Sequence, residues 1–326
     1  MIRVGITMGD PAGVGPEIIL SVLGFRKPDA DVRFTVFGSK EVFSQRARDC
    51  NLPLSFSVKN IHPHGLVPLG EYSHQGGAEA MACIESAIQS WEAGRLDALV
   101  TGPIHKRAIT EAGMPGCGHT EWLANRLGSQ RPVMMLAGPR LKVLLATNHL
   151  PLRDVADELS TESLWQVIRL SHEELKKYFF PNGPTLALAA LNPHGEENGE
   201  PGFEERHILI PAVEKAREHG ISIDGPISAD ALFAKAASGQ YDAVVALYHD
   251  QGLAPLKAIH FHDAVNVTLG LGLVRTSPDH GPAYDIAGKA IADTRSMEAA
   301  IEMAIRMVRV NAGGKRNGSG SVIHQD

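Results

Sequence analysis

The chain has 326 residues, is 44% hydrophobic and 21% charged, and carries a net charge of -6. That is the balance of a globular protein with a large core, and the length predicts two lobes. A net negative chain without a basic, aromatic-interleaved stripe excludes nucleic acid as a main partner, and no apolar run reaches membrane-spanning length. Cys50, Cys83 and Cys117 form an odd set without C-x-x-C spacing, which argues against a disulfide framework and against a thiolate zinc site. Cys83 reads as helix core and Cys117 as a candidate free thiol.

The first strand-like run, Ile2–Thr7, starts at once and shows no secretory pattern, so the expected location is the cytoplasm. It ends in Met8-Gly9-Asp10-Pro11-Ala12-Gly13-Val14-Gly15-Pro16-Glu17, where Pro16 and Glu17 suit the first turn of a helix. The glycines permit a close ligand approach or simply a tight strand-to-helix turn, and spacing alone leaves both readings open. Neither the G-x-G-x-x-G dinucleotide fingerprint nor a phosphate-loop motif is present. Further buried strands are predicted at Arg33–Phe37, Ala98–Thr101, Val133–Leu136, Leu141–Ala146, Thr185–Leu191, Ala243–Leu247 and Val265–Leu269.

Amphipathic helices are expected over Gly77–Ala93, capped by Gly94, and over Ser296–Val310, with Met297, Ala300, Ile301, Ala304, Ile305 and Val308 as the apolar stripe of the second. Alternation of this kind predicts a parallel sheet covered on both faces. The stretches 93–100 and 238–245 echo each other as helix end, glycine and Asp-Ala strand start, which suggests two similar α/β lobes. The Gly- and Ser-rich residues 313–326 read as a mobile tail.

Three loops each carry a histidine: Thr147-Asn148-His149-Leu150-Pro151, Asn192-Pro193-His194-Gly195-Glu196 and Tyr248-His249-Asp250-Gln251-Gly252. Each follows a predicted strand, and ligands of open α/β sheets sit at strand carboxyl ends. Three imidazoles from such loops suit a divalent cation with an open coordination position. In Gly118-His119-Thr120-Glu121, Thr120 is a candidate helix cap, beside backbone N–H groups suited to an anion. Lys257, Asn266 and Arg275 are donors set among apolar or glycine-rich neighbours, and a converging Arg and Lys favour a phosphate or carboxylate. Asp230 reads equally as an N-cap or as a proton acceptor.

Taken together these motifs resemble the 4-hydroxythreonine-4-phosphate dehydrogenase family of vitamin B6 biosynthesis, over Gly9 to about Ala292. The likeness also includes Thr101-Gly102-Pro103-Ile104-His105-Lys106, His149 to Asp154 and Arg275-Thr276-Ser277-Pro278-Asp279-His280-Gly281. It implies an isopropylmalate/isocitrate dehydrogenase-like α/β fold: two α/β/α lobes around a cleft, in a homodimer with a shared active site. The lobes implied are a discontinuous NAD-binding lobe, 1–127 with 274–312, and a metal, substrate and dimerisation lobe, 128–273.

Residue by residue, the resemblance makes His149, His194 and His249 the ligands of one divalent metal (Zn, Mg, Mn or Co). It makes His119, Thr120, Lys257, Asn266 and Arg275 the substrate contacts. Asp10, His280, Gly281 and Asp285 fall in stretches similar to the nucleotide-binding signatures, which implies NAD or NADP. The implied reaction oxidises the C3 hydroxyl of 4-phosphooxy-L-threonine and then decarboxylates the product to 3-amino-2-oxopropyl phosphate. Asp230 or Asp250 would take the hydroxyl proton, with Lys257 and Arg275 on the charged ends of the substrate. Asn148, Gly195-Glu196, Gly272 and Pro282 depart from the commonest pattern of the family. Relatives that oxidise phospho-D-threonate, phospho-D-erythronate or an aromatic cis-dihydrodiol are the enzymatic alternatives. A metal- or phosphate-binding protein on the same scaffold is the non-enzymatic one, and the intact His280–Gly288 stretch favours a dehydrogenase.

Overall fold

The computed structural model describes residues 1–61, 66–113, 118–197 and 200–318; Cys117 and residues 319–326 lie outside them. The strands are Ile2–Thr7 (β1), Val32–Gly38 (β2), Val58–Asn60 (β3), Ala98–Thr101 (β4), Val133–Ala137 (β5), Lys142–Leu145 (β6), Leu186–Ala189 (β7), Glu196–Glu197 (β8), Glu200–Pro201 (β9), Ile223–Ile227 (β10), Ala243–Ala246 (β11), Val265–Leu269 (β12) and Val274–Pro278 (β13). Helices alternate with most of them, and none among the described residues is long and apolar enough to cross a membrane. The chain forms two compact units, Met1–Pro132 with Leu271–Val308, and Val133–Gly270 with the chain from Arg309 onward.

In unit 1 the strands run in the order β13-β4-β1-β2-β3, and every pair is parallel. The strand β4 is wholly buried and β1 buries Val4 to Thr7, as expected for a sheet covered by helices. The helix His74–Glu92 packs Met81, Ile84, Ala87 and Ile88 into a core with Phe37, Leu99, Ile109 and Leu123. It ends at Ala93, and Gly94 follows at φ +66°, a left-handed position that glycine adopts without Cβ strain. Gly239 at φ +92° does the same in the echoing stretch of unit 2.

In unit 2 the order is β10-β7-β11-β6-β5-β12. Here the all-parallel expectation fails: β5 pairs antiparallel with both β6 and β12. The reason is the connection. Only Gly138 to Leu141 lies between β5 and β6, closed by Gly138 N–H donating to Leu141 C=O at 2.8 Å, and so short a link makes a hairpin, not a crossover. The core of this unit gathers Leu136, Val143, Leu145, Ala187, Leu232, Val244 and Leu256.

Besides the two-residue β8 and β9, which pair with each other, three strands were not foreseen. The first, β3, is a three-residue edge strand, and β10, also at an edge, contains Gly225-Pro226, a pair that reads as a turn. The third, β13, is wholly buried although it reads Val-Arg-Thr-Ser-Pro. The final helix, Arg295–Gly318, runs six residues into the stretch expected as a mobile tail from 313, because its apolar stripe already commits the preceding turns to the core.

One buried group sets a pH dependence. Glu79, on the inner side of the His74–Glu92 helix, is 1% exposed and neither carboxyl oxygen has a hydrogen-bond partner. Burial first, then the like charges of Asp10 and Glu41, push its pKa up to about 7. The folded chain therefore holds a proton that the unfolded chain loses near 4.5, and stability contributed here falls as pH rises from about 4.5 to 7. Glu79→Gln should raise the melting temperature at pH 8 by roughly 2–4 °C and change it little at pH 5. Thermal melts of both proteins at the two pH values check this, and an equal shift at both would contradict it.

Candidate active site

In unit 2 the three histidine loops are tied to one another by buried polar contacts. The first loop leaves β6, where Ala146 N–H donates to Ala246 C=O at 2.8 Å and the Thr147 hydroxyl donates to Leu247 C=O at 2.7 Å. The third loop leaves β11, and Gln251 spans outward from it. Its Oε1 accepts from Leu247 N–H and its Nε2 donates to Ala190 C=O, both at 2.7 Å. Gly252 lets this helix sit on the sheet, since a Cβ there would come within 2.5 Å of Val143 and 2.9 Å of Ala246. The second loop follows β7 and is held by Glu205, a fully buried acid whose Oε1 accepts from Leu191 and Asn192 N–H at 2.8 Å each and whose Oε2 accepts from Asn192 Nδ2 at 2.7 Å.

On this platform His149 and His249 lie side by side, ring centroids 5.7 Å apart. They line a pocket of about 370 Å³ with Asn148, Leu150, Pro151, Leu152, Val155, Tyr248 and Asp250. Asp250 Oδ1 lies 2.6 Å from His249 Nδ1, which places the ring proton on Nδ1 and leaves Nε2 as a lone-pair donor. His194 adopts φ +58°, in the left-handed region, and interacts electrostatically with Asp230. Among the described residues no three His, Cys, Asp or Glu side chains are gathered closely enough to hold a metal ion. The donor chemistry of His149 and His249, two imidazoles side by side at a pocket, fits a divalent cation.

Asp230 is not the N-cap of its helix. Ser228 holds that position and its hydroxyl donates to Asp230 Oδ1 at 2.6 Å, with Ala231 N–H donating to the same oxygen at 2.7 Å. The Ser228 bond is the main cause that keeps the Asp230 carboxyl below its ordinary pKa. Lys257 is half-buried on the His249–His260 helix, eight residues from His249 and so on the same face. Asn266, on β12, has a buried Oδ1 without a partner.

In unit 1, β13 carries Arg275 at 1% exposure, its Nε and Nη2 donating to Thr101 Oγ1 at 3.2 and 2.7 Å. Burial pulls the guanidinium pKa down to about 9, with Glu121 offsetting part of that. Burial, and then the charge of Arg275, hold His119 well below the ordinary imidazole value, so it is neutral, and its Nε2 is buried without a partner. Thr120 is buried in the first turn of the His119–Leu127 helix, whose N-cap is Gly118 and not Thr120; Glu121 Oε2 accepts from Gly118 N–H at 2.9 Å. A desolvated guanidinium beside a neutral imidazole is a site that a phosphate stabilises.

The stretch 280–288 also lies in unit 1. His280, Gly281 and Asp285 are exposed, and a Cβ on Gly281 would meet nothing within 4 Å, so this side is open to a ligand. Asp10, by contrast, is 1% exposed with both oxygens engaged: Oδ1 accepts from Ala12 N–H at 2.9 Å and Oδ2 from the Tyr284 hydroxyl at 2.7 Å.

Sequence reasoning missed Gln251, Glu205, Thr101 and Tyr284 as parts of these sites. Gln251, Thr101 and Tyr284 sit inside the motifs, but their partners lie in other segments of the chain; Glu205 has no local signal at all, because what it binds is 13 to 14 residues away.

The model of the family described as pyridoxal phosphate biosynthetic protein PdxA matches residues 29–304. The 4-hydroxythreonine-4-phosphate dehydrogenase of Geobacter metallireducens is 45% identical over 331 residues, covering 96% of this chain and 97% of that protein. The crystal structure of 4-hydroxythreonine-4-phosphate dehydrogenase from Klebsiella pneumoniae is similar at TM-score 0.85 and 35% identity, covering 94% of this chain and all of that one (100%). A terephthalate 1,2-cis-dihydrodiol dehydrogenase from Burkholderia xenovorans is more distant, at TM-score 0.65 and 27% identity over 96% and 98% of the two chains.

Replacing Arg275 by Lys keeps the charge but loses the planar fork, and a buried ammonium sheds its proton more readily. Arg275→Lys should weaken binding of inorganic phosphate by roughly tenfold or more, the scale of one charge-assisted hydrogen bond. Calorimetric titration with phosphate checks this; unchanged affinity would remove Arg275 from anion recognition.

Proposed function

Because the chain belongs to the PdxA family of pyridoxal phosphate biosynthetic proteins, we propose that it is a 4-hydroxythreonine-4-phosphate dehydrogenase, oxidising the C3 hydroxyl of 4-phosphooxy-L-threonine ahead of decarboxylation to 3-amino-2-oxopropyl phosphate. Its fold is that of these dehydrogenases and of the isopropylmalate and isocitrate dehydrogenases. The observation that carries the substrate class is the buried Arg275 beside neutral His119, an arrangement suited to a phosphate dianion.

In this reading Arg275, His119 and Thr120 bind the phosphate, while Asn266 and Lys257 bind the polar groups of the amino acid portion. His149, His194 and His249 hold one divalent cation, and residues 280–288 bind NAD or NADP. When bound, the cation would supply Lewis acidity toward the substrate hydroxyl and ketone, and the nicotinamide would accept the hydride. The protein's own part is positional. Asp250 fixes the tautomer and direction of the His249 ring, and Asp230, kept ionised by Ser228, is the proton acceptor of the C3 hydroxyl. The chain acts as a homodimer, and the exposed Leu150 (41%) and Leu152 (68%) beside the pocket are apolar surface that a second copy would cover.

The test is formation of NADH or NADPH, followed by absorbance, with 4-phosphooxy-L-threonine, phospho-D-threonate, phospho-D-erythronate and a cis-dihydrodiol, each with and without a chelator. The expected result is turnover of the threonine phosphate that the chelator abolishes. His249→Ala should fold, lose its metal and lower kcat by roughly a hundredfold or more. Preference for the unphosphorylated diol would overturn the substrate, and wild-type metal content in His249→Ala would overturn the ligand set.

A further inference from the structure

The motif Gly9–Glu17 looks like a ligand-binding glycine loop, yet in unit 1 three of its residues, Asp10, Val14 and Glu17, bind the stretch 280–288. Val14 N–H donates to Pro282 C=O at 2.8 Å. The Tyr284 hydroxyl donates to Asp10 Oδ2 at 2.7 Å, and Gly288 N–H donates to Glu17 Oε2 at 2.6 Å. The two acids of the motif therefore grip the stretch at its middle and at its end. Gly13 is where the backbones meet: a Cβ there would come within 2.6 Å of Pro282 Cβ and 2.7 Å of its carbonyl oxygen. Arg46, itself buried, locks the motif from behind. Its Nη1 donates to Gly13 C=O at 3.1 Å and lies 3.4 Å from Glu17, and its Nη2 donates to Pro11 C=O at 3.2 Å.

The gripped stretch is not at rest on its own. Ala283 has φ +46° and ψ +59°, a left-handed position that disfavours a residue with a Cβ and persists where its surroundings hold it. The residues on either side of it, Pro282 and Tyr284, are both held by the motif. A second brace reaches the Tyr284 ring, which lies 5.5 Å from the His105 ring, itself stacked 5.1 Å from Tyr72. His280, Gly281 and Asp285 remain exposed.

We infer that Gly9–Glu17 is the seat of the 280–288 stretch, and that Asp10, Glu17 and Tyr284 are positioning residues that shape it for the nucleotide without touching it. The inference rests on the reading of 280–288 as nucleotide-binding. It changes the role of Asp10 from a direct cofactor contact to one exerted through Tyr284. It also accounts for the missing Rossmann fingerprint: the glycines serve the approach of one protein segment to another, not of a phosphate to a loop.

Tyr284→Phe removes the hydroxyl and keeps the ring, and Gly13→Ala forces the seat and the loop apart. Two readouts separate the seat from its purpose. Hydrogen exchange of the ligand-free protein should speed up at the amides of 282–288 in both variants. Calorimetric titration should show the NAD (or NADP) dissociation constant rising roughly tenfold in Tyr284→Phe, because only the seated fraction of the loop binds. In turnover the KM for the nucleotide should rise likewise, while the KM for the phosphorylated substrate stays within about twofold. Asp10→Asn combined with Tyr284→Phe should be no worse than Tyr284→Phe with respect to the nucleotide, since both act on one hydrogen bond. Unchanged exchange in both variants would overturn the seat. Faster exchange with unchanged nucleotide affinity would overturn its positioning role, and should Gly13→Ala fail to fold, Tyr284→Phe decides alone. A wild-type chain that takes up neither NAD nor NADP would overturn the nucleotide reading itself.

Discussion

A loop that leaves the end of a buried strand takes its backbone N–H and C=O groups away from the ladder, and where water cannot reach them each must find another partner. The candidate sites of this protein are organised by that requirement. In unit 2, Gln251 satisfies a backbone donor and a backbone acceptor that belong to two different histidine loops, and Glu205 satisfies two successive N–H groups of one of these, the loop that carries His194. In unit 1, Glu17 takes up Gly288 N–H and Arg46 takes up two carbonyls of the glycine motif. Each of these side chains is long enough to bridge strand ends, and each is buried. The residues that face a ligand are thereby carried on loops whose shape is fixed by others, the arrangement that precise chemistry requires.

The two units solve opposite electrostatic problems. Unit 1 buries a cation, Arg275, against a hydroxyl and keeps the neighbouring imidazole neutral. Burial weakens that cation, and a dianionic ligand restores what water no longer supplies, so desolvation itself becomes selectivity for phosphate over uncharged groups. Unit 2 keeps its imidazoles partly exposed at a pocket and orients one of them through Asp250. There the side chains need lone pairs directed outward, and solvent access is compatible with that need.

Much of the fold was legible from local pattern because burial on both faces of a strand leaves an unbroken apolar run. The strands β1, β4 and β12 have the expected bounds, and the helix stripe around Ile84 and Ile88 packs as its spacing implied. Legibility ended where burial is not apolar. In β13, Arg275 and Thr276 are as buried as any leucine, since Thr101 and the Ala300 carbonyl accept their hydrogen bonds. Hydrophobicity cannot reveal such a strand. The antiparallel β5 was likewise hidden, because strand direction depends on the length and shape of the turn at Gly138 to Leu141 and not on the composition of the strands.

By itself, then, the amino-acid sequence determined the alternation of strands and helices, the three histidine loops, and the family to which their ordered motifs point. These are properties of short contiguous segments, written in periodicity, turn residues and motif order. Only the tertiary structure decided that His149 and His249 are neighbours, that Asp10 faces inward to Tyr284, and that Glu205 holds a loop 13 residues before it. Those facts depend on pairings between segments distant in the chain. A carboxylate or an imidazole carries the same chemistry in any sequence, and what it touches is set by the packing that surrounds it.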